Sequence, residues 1–224
     1  MTGISDLIVL FDVDNTLLNN DRVQADLGEH LLSVYGAATR DRYWTIFEDL
    51  RRELGYADYL GALERYRIEA LHDPRVLRMA SWLVDYPFAD RLYPGALDAV
   101  RHAQKFGRAV ILSDGDAVFQ PRKVERSGIW REVDNHVLIY IHKEQELADV
   151  ERLYPARHYV MIDDKLRILT AMKQIWGERL TTVFPRQGHY ATDPKALQSY
   201  PQADLTIERI GDLLDHDLST ILPT

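Results

Sequence analysis

The sequence predicts an α/β protein: a doubly wound parallel sheet with a helical unit inserted after the first strand. Three observations predict it. The apolar run at residues 7–11 is rich in branched side chains and stops abruptly at Asp12, the texture of a strand buried on both faces. From Tyr93 onward, similar apolar runs alternate with helical stretches of about ten residues, the pattern of parallel βαβ units covered on both faces. Between these two regions, residues 19–90 show helical spacing and no strand candidate.

The elements follow in order. In the insert, Val23, Leu27, Leu31 and Val34 recur at helical spacing, as do Tyr43, Phe47, Leu50 and Leu54. Leu60 and Leu63 continue it, followed by Ala70 and Leu71. Pro74 opens a further turn that puts Val76, Met79 and Leu83 on one face. In the second region, Pro94-Gly95 starts a helix that Gly107 terminates. Strands are expected at residues 109–112, 136–141, 158–162 and 180–184, with a sixth at 204–207. Helices are expected at 118–127, 143–153 and 166–176, the last stopped by Gly177. The implied division is a core of residues 1–18 and 91–224 and a helical cap of residues 19–90.

Bulk composition narrows the function classes. A chain of 224 residues with 46% hydrophobic content buries enough surface to fold without staples. It contains no cysteine, which excludes disulfides, thiolate metal sites and cysteine nucleophiles. The formal net charge of −8 argues against nucleic acid or an anionic membrane as partner. There is no apolar run of membrane-spanning length and no signal-peptide pattern, so a soluble cytoplasmic protein is expected. Monomer and homodimer are equally compatible with the sequence.

In a doubly wound sheet, ligands bind beyond the carboxyl ends of the strands. After the first strand stand Asp12, Val13, Asp14, Asn15 and Thr16; after the second, Ser113, Asp114 and Gly115; after the third, Lys143; after the fourth, Asp163 and Asp164. One edge of the sheet thus gathers carboxylates, a hydroxyl and an ammonium. Carboxylates this close repel one another unless a cation sits among them, and magnesium prefers such oxygen ligands. The set suits phosphoryl transfer: Asp12 as nucleophile, Asp12 and Asp163 on the cation, and Ser113 and Lys143 on the phosphate oxygens. Asp14, freed by a turn, is placed to protonate the leaving group and then activate water.

These residues resemble the haloacid dehalogenase-like (HAD) hydrolases over nearly the whole chain. The four signatures of that family stand here in family order: Asp12-Val13-Asp14-Asn15-Thr16 after an apolar strand, Ile111-Leu112-Ser113, Lys143, and Asp163-Asp164. The resemblance implies a Rossmann-like core with a helical cap. It implies a magnesium-dependent phosphatase that acts on a small phosphate ester through a phosphorylated Asp12, with Asp14 as acid/base. Asp12, the Asp14 carbonyl and Asp163 would hold Mg2+, with Asp164 assisting; Ser113, Asp114, Gly115 and Lys143 would surround the phosphate. Two positions depart from the family pattern: Asp114 stands where Asn is common, and Glu144 where Pro often follows the Lys.

Other functions within the family are a 2-haloacid dehalogenase, which uses the same nucleophile but usually lacks the second Asp, and a phosphomutase. A phospho-acceptor switch or a non-hydrolytic binding relative belongs to a different class. Three bland readings complete the expectations. Lys123, beside Arg122, Glu125 and Arg126, reads as part of a solvated helix face. The insert aromatics Tyr43, Trp44, Phe47, Tyr56, Tyr59, Tyr66 and Trp82 read as packing residues. Arg186, Gln187, Gly188, His189 and Tyr190 read as a surface loop.

Overall fold

A computed structural model describes residues 4–220. The chain opens with β1 (Ser5–Phe11) and passes into four helices, α1 (Asn20–Tyr35), α2 (Ala37–Leu54), α3 (Tyr59–Glu69) and α4 (Val76–Asp85). There follow α5 (Ala96–Ala103), β2 (Arg108–Asp114), α6 (Phe119–Arg126), α7 (Ile129–Glu132), β3 (Val137–Tyr140) and α8 (Leu147–Leu153). The chain continues through β4 (Ala156–Ile162), α9 (Leu166–Trp176), β5 (Leu180–Pro185), α10 (Gly188–Thr192), α11 (Pro194–Ser199) and β6 (Leu205–Ile207). The six strands form one parallel sheet in the order β3-β2-β1-β4-β5-β6. Among the described residues no helix is long and apolar enough to cross a membrane.

Period-two alternation explains why β1 is apolar throughout. Leu7, Val9 and Phe11 face one hydrophobic cluster, while Ile8 and Leu10 face the other. The first cluster continues without a break into the insert, through Leu27, Leu31, Tyr43, Phe47 and Met79. The second is closed by α8 and α9, through Val150, Leu169 and Met172. In α4, Val76, Met79 and Leu83 are buried, as their spacing predicts. In α1 the inward stripe ends on Tyr35, and Val34 is left exposed.

Three elements differ from expectation. The helix after Gly95 stops at Ala103, and residues before Gly107 form a turn, with Gln104, Lys105, Phe106 and Gly107 each donating to a carbonyl three or four residues back. The strand at 137–140 is half-buried along its length because it forms the sheet edge. The stretch after β5 is not a loop but the short helices α10 and α11; Asp193 caps the second through Lys195 N–H at 3.0 Å, with Pro194 at its first position.

The strand order changes direction at β1: β2 lies on one side of it and β4 on the other. The crevice between the ends of β1 and β4 is therefore the switch point where such sheets bind ligands. The chain leaves it through a tight turn. Asn15 adopts φ 62°, and the N–H groups of Leu17 and Leu18 both donate to the Val13 carbonyl. The outgoing and returning strands to the insert are hydrogen-bonded to each other, Asn19 N–H to Arg91 O at 2.8 Å and Tyr93 N–H to Leu17 O at 2.9 Å.

Candidate active site

The floor of the site is built from strand ends. Asp12 N–H donates to Ile162 O, so the residue after β1 sits directly beside the residues after β4. Carboxylate oxygens of Asp12, Asp163 and Asp164 lie within 4.8 Å of one another, and all three residues are buried. Lys143, on the turn after β3, reaches into this cluster: its Nζ donates to Asp12 Oδ1 at 2.5 Å and to Leu112 O at 3.2 Å, and stands 2.7 Å from Asp163 Oδ2. Burial works against the Lys143 charge, but Asp12 and Asp163 outweigh it and hold the ammonium protonated. Burial pushes Asp163 up to about 6 and Asp164 well above the usual carboxylate range, Lys143 countering the first and Lys165 the second. Thr16 holds this arrangement in place, its hydroxyl accepting from Asp164 N–H at 3.1 Å.

Asp14 lies on the other side of the turn. It is not among the clustered carboxylates, and its side chain reaches the cavity above. Its two oxygens accept from Lys123 Nζ at 2.7 and 2.8 Å, and the same ammonium donates to Asn20 Oδ1 at 3.0 Å. This overturns the solvated-face reading of Lys123, which is fully buried and lies over the Phe119 and Tyr59 rings. The helical phase carried the signal: Phe119, Gln120, Lys123 and Val124 form the buried face of α6. The charged neighbours Arg122, Glu125 and Arg126 lie on the other face.

Ser113, at the end of β2, is buried, and its hydroxyl accepts from Gln120 Nε2 at 3.0 Å. Gln120 comes this close because residue 115 is glycine: a Cβ there would stand 2.6 Å from Gln120 Cβ. The Asp114 carboxylate turns back and accepts from Lys143 N–H at 2.8 Å, which orders the loop that carries the lysine. Burial raises the Asp114 carboxyl above the usual range, against the pull of Lys143. The Asp at a position where Asn is common therefore has a structural partner.

Above the floor is a cavity of about 340 Å3. Asp14, Asp114 and Gly115 line it from the core, Arg51, Tyr56 and Tyr59 from the insert, and Lys165, His189 and Tyr190 from the far strands. The insert aromatics thus divide. Tyr43 and Phe47 are core, as expected, whereas Tyr56 and Tyr59 reach the cavity. The surface-loop reading of residues 186–190 is corrected. Gln187 is buried and donates to Thr16 O at 3.0 Å, and His189 N–H donates to Asp21 at 2.9 Å. Gly188, at φ 69°, permits this docking, since a Cβ there would stand 2.5 Å from Asn15 Cβ. Lys165 was not singled out in the sequence. It follows the acidic pair directly, and that adjacency was its available signal.

A haloacid dehalogenase-like hydrolase family model matches residues 7–175, which include all four strand-end groups. The chain belongs to the haloacid dehalogenase-like hydrolases. A hydrolase of this family from Burkholderia xenovorans LB400 is 66% identical, with a TM-score of 0.90, over 95% of this chain and 99% of that one. Two more distant structures share the fold. The magnesium-bound HAD-hydrolase YfnB of Bacillus subtilis is 16% identical with a TM-score of 0.61, covering 98% of this chain and 99% of its own. The L-2-haloacid dehalogenase of Xanthobacter autotrophicus is 18% identical with a TM-score of 0.61, covering 93% and 96%. None of the curated proteins matches this sequence significantly.

For this family member, the donor set fits a divalent cation. Asp12 Oδ2 and both oxygens of Asp164 are buried without a hydrogen-bond partner, a costly arrangement for carboxylates that lack a cation. Asp163 Oδ1 accepts from Lys165 N–H at 2.8 Å, while its Oδ2 makes no directed hydrogen bond and has only the Lys143 ammonium 2.7 Å away. Carboxylate oxygens thus converge from all three residues, Asp12, Asp163 and Asp164. The Asp14 carboxylate stands apart from this group, committed to Lys123.

Proposed function

We propose that this hydrolase is a magnesium-dependent phosphomonoesterase of a small phosphorylated metabolite, with residues 19–90 acting as a helical cap over the site. The observation that carries the proposal is the division of labour across one turn. Asp12 presents an unpartnered oxygen on the floor, and Asp14, two residues later, presents a second carboxylate to the cavity. Asp12, Asp163 and Asp164 would hold Mg2+, which when bound supplies charge neutralisation for the aspartates and the incoming phosphate.

The remaining chemistry belongs to the chain. Asp12 attacks phosphorus through a carboxylate oxygen while Lys143, bonded at Oδ1, fixes the carboxylate, so the nucleophile is oriented before substrate arrives. The bond from phosphorus to the leaving oxygen breaks, and Asp14 delivers a proton to that oxygen. An aspartyl phosphate remains on Asp12. Asp14 then takes a proton from water, whose oxygen attacks phosphorus, releasing inorganic phosphate and restoring Asp12. The Ser113 hydroxyl, oriented by Gln120, and Lys143 balance the phosphoryl oxygens.

A dehalogenase would use the same nucleophile, but its chemistry needs neither a buried carboxylate triad nor a second acid on the turn. The test separates the two. Phosphate release from p-nitrophenyl phosphate, with and without magnesium, is measured beside halide release from 2-chloropropionate. Metal-dependent phosphate release is expected, falling by about 10³-fold or more in Asp12→Asn. Halide release without phosphate release, or unimpaired turnover in Asp12→Asn, refutes the proposal.

A further inference from the structure

The cavity walls carry a charge pattern that the proposed reaction does not use. Two cations lie near the Tyr190 ring: Lys165 Nζ is 5.1 Å from its centroid and Arg51 Cζ 5.9 Å. Arg51 comes from α2 in the insert and also donates to the Tyr190 hydroxyl; Lys165 comes from the turn before α9 in the core. Both line the same cavity.

Several other ionisable groups of this cavity already have partners. Asp14 pairs with the Lys123 ammonium, and Asp114 is held by a hydrogen bond from the Lys143 N–H. His189 contacts Asp21 at 2.6 Å, and Arg167 donates to Glu144 at 2.6 Å. The one carboxylate in contact with Arg51 among the described residues is Glu48, at 3.8 Å on an exposed face. Lys165 Nζ has no hydrogen-bond or ion-pair partner among the described residues. Two positive side chains, Arg51 and Lys165, thus face one small cavity, an arrangement that favours an anion beside them.

We infer that Arg51 and Lys165 form a subsite for a second anionic group of the substrate. The substrate class is then a small phosphate ester that also bears a carboxylate or a second phosphate, rather than the phosphate of a neutral alcohol. The inference rests on the phosphatase reading for the first phosphate. The cavity volume of about 340 Å3 restricts the compound to metabolite size. Arg51 lies on the insert and Lys165 on the core, so the second anion would also tie the two together.

The test uses probes that are not turned over, so that binding is read apart from catalysis. Dissociation constants of propylphosphonate, 3-phosphonopropionate and propane-1,3-bisphosphonate are measured calorimetrically on the full chain in excess magnesium. At least one dianionic probe is expected to bind about tenfold tighter than propylphosphonate, as one charge-assisted contact allows. A winning phosphonopropionate identifies a carboxylate, and a winning bisphosphonate a phosphate. Arg51→Met is expected to erase the advantage and Arg51→Lys to retain part of it, which separates loss of charge from loss of fold. Equal constants for all three probes, or an advantage intact in Arg51→Met, overturns the subsite. A Lys165→Met variant that weakens propylphosphonate as much as the dianions assigns Lys165 to the first phosphate and also overturns the pair. Turnover of p-nitrophenyl phosphate is followed in parallel. Turnover without a dianion advantage sinks the subsite alone, a dianion advantage without turnover sinks the phosphatase reading alone, and no binding of any probe sinks both.

Discussion

The two sides of the Asp12–Asp14 turn are each held by a buried lysine, and the two lysines differ in what surrounds them. Lys143 enters from the core side and meets two carboxylates that water does not reach. Lys123, from α6, meets one carboxylate, Asp14, which is 25% exposed, together with the amide of Asn20. The first lysine is part of a closed electrostatic cluster. The second ties the turn to the first helix of the insert, and Tyr59 extends the tie by presenting its hydroxyl to Asn20 Nδ2 at 3.3 Å and Gln24 Nε2 at 2.8 Å. The floor is therefore fixed by charge in a dry environment, whereas Asp14 is fixed by a contact that spans core and insert.

The sharpest way to break this comparison is to remove each ammonium. Lys143→Met leaves Asp12 and Asp163 buried without their cation, so a loss of about 3–5 kcal/mol is expected in urea denaturation at neutral pH without added metal. Added magnesium should restore more stability to this variant than to the parent, because the metal then offsets the same carboxylates. Lys123→Met should cost less, about 1–3 kcal/mol, since water can reach Asp14. Equal losses in the two variants would show that the burial difference does not matter.

A smaller effect probes the insert away from the site. Burial works to raise the Asp26 carboxyl, but hydrogen bonds from Tyr86 and Arg91 hold it below the usual value of 3.8. A folded pKa below the unfolded one means the contribution is complete above pH 3.8 and is lost as pH falls through the folded value. The stability difference between parent and Asp26→Asn should therefore be constant near neutrality and shrink below about pH 4. A difference that stays unchanged down to pH 3 would remove Asp26 from the account.

The contrast between the lysines also shows what is legible in a sequence. Lys143 was found because it stands at a strand end, and strand ends converge by the rule of the parallel sheet. Lys123 was misread because its immediate neighbours are charged, while burial in a helix follows three- and four-residue spacing. Phe119 and Val124 mark its face. Tyr190 and Arg51 were not connected at all, since 139 positions separate them and no local pattern links them.

By itself the sequence determined the strand pattern, the helical character of the insert and the four chemical groups at the sheet edge. Each follows from local periodicity or from the residue next to a strand, and a parallel sheet brings such residues together wherever the helices lie. Tertiary structure alone decided which lone pairs are free for a cation, that Lys123 holds Asp14, and that Gln187 and His189 dock on the first turn. Those depend on the packing of helices against one another, where side chains distant in sequence meet at angles that no local spacing encodes.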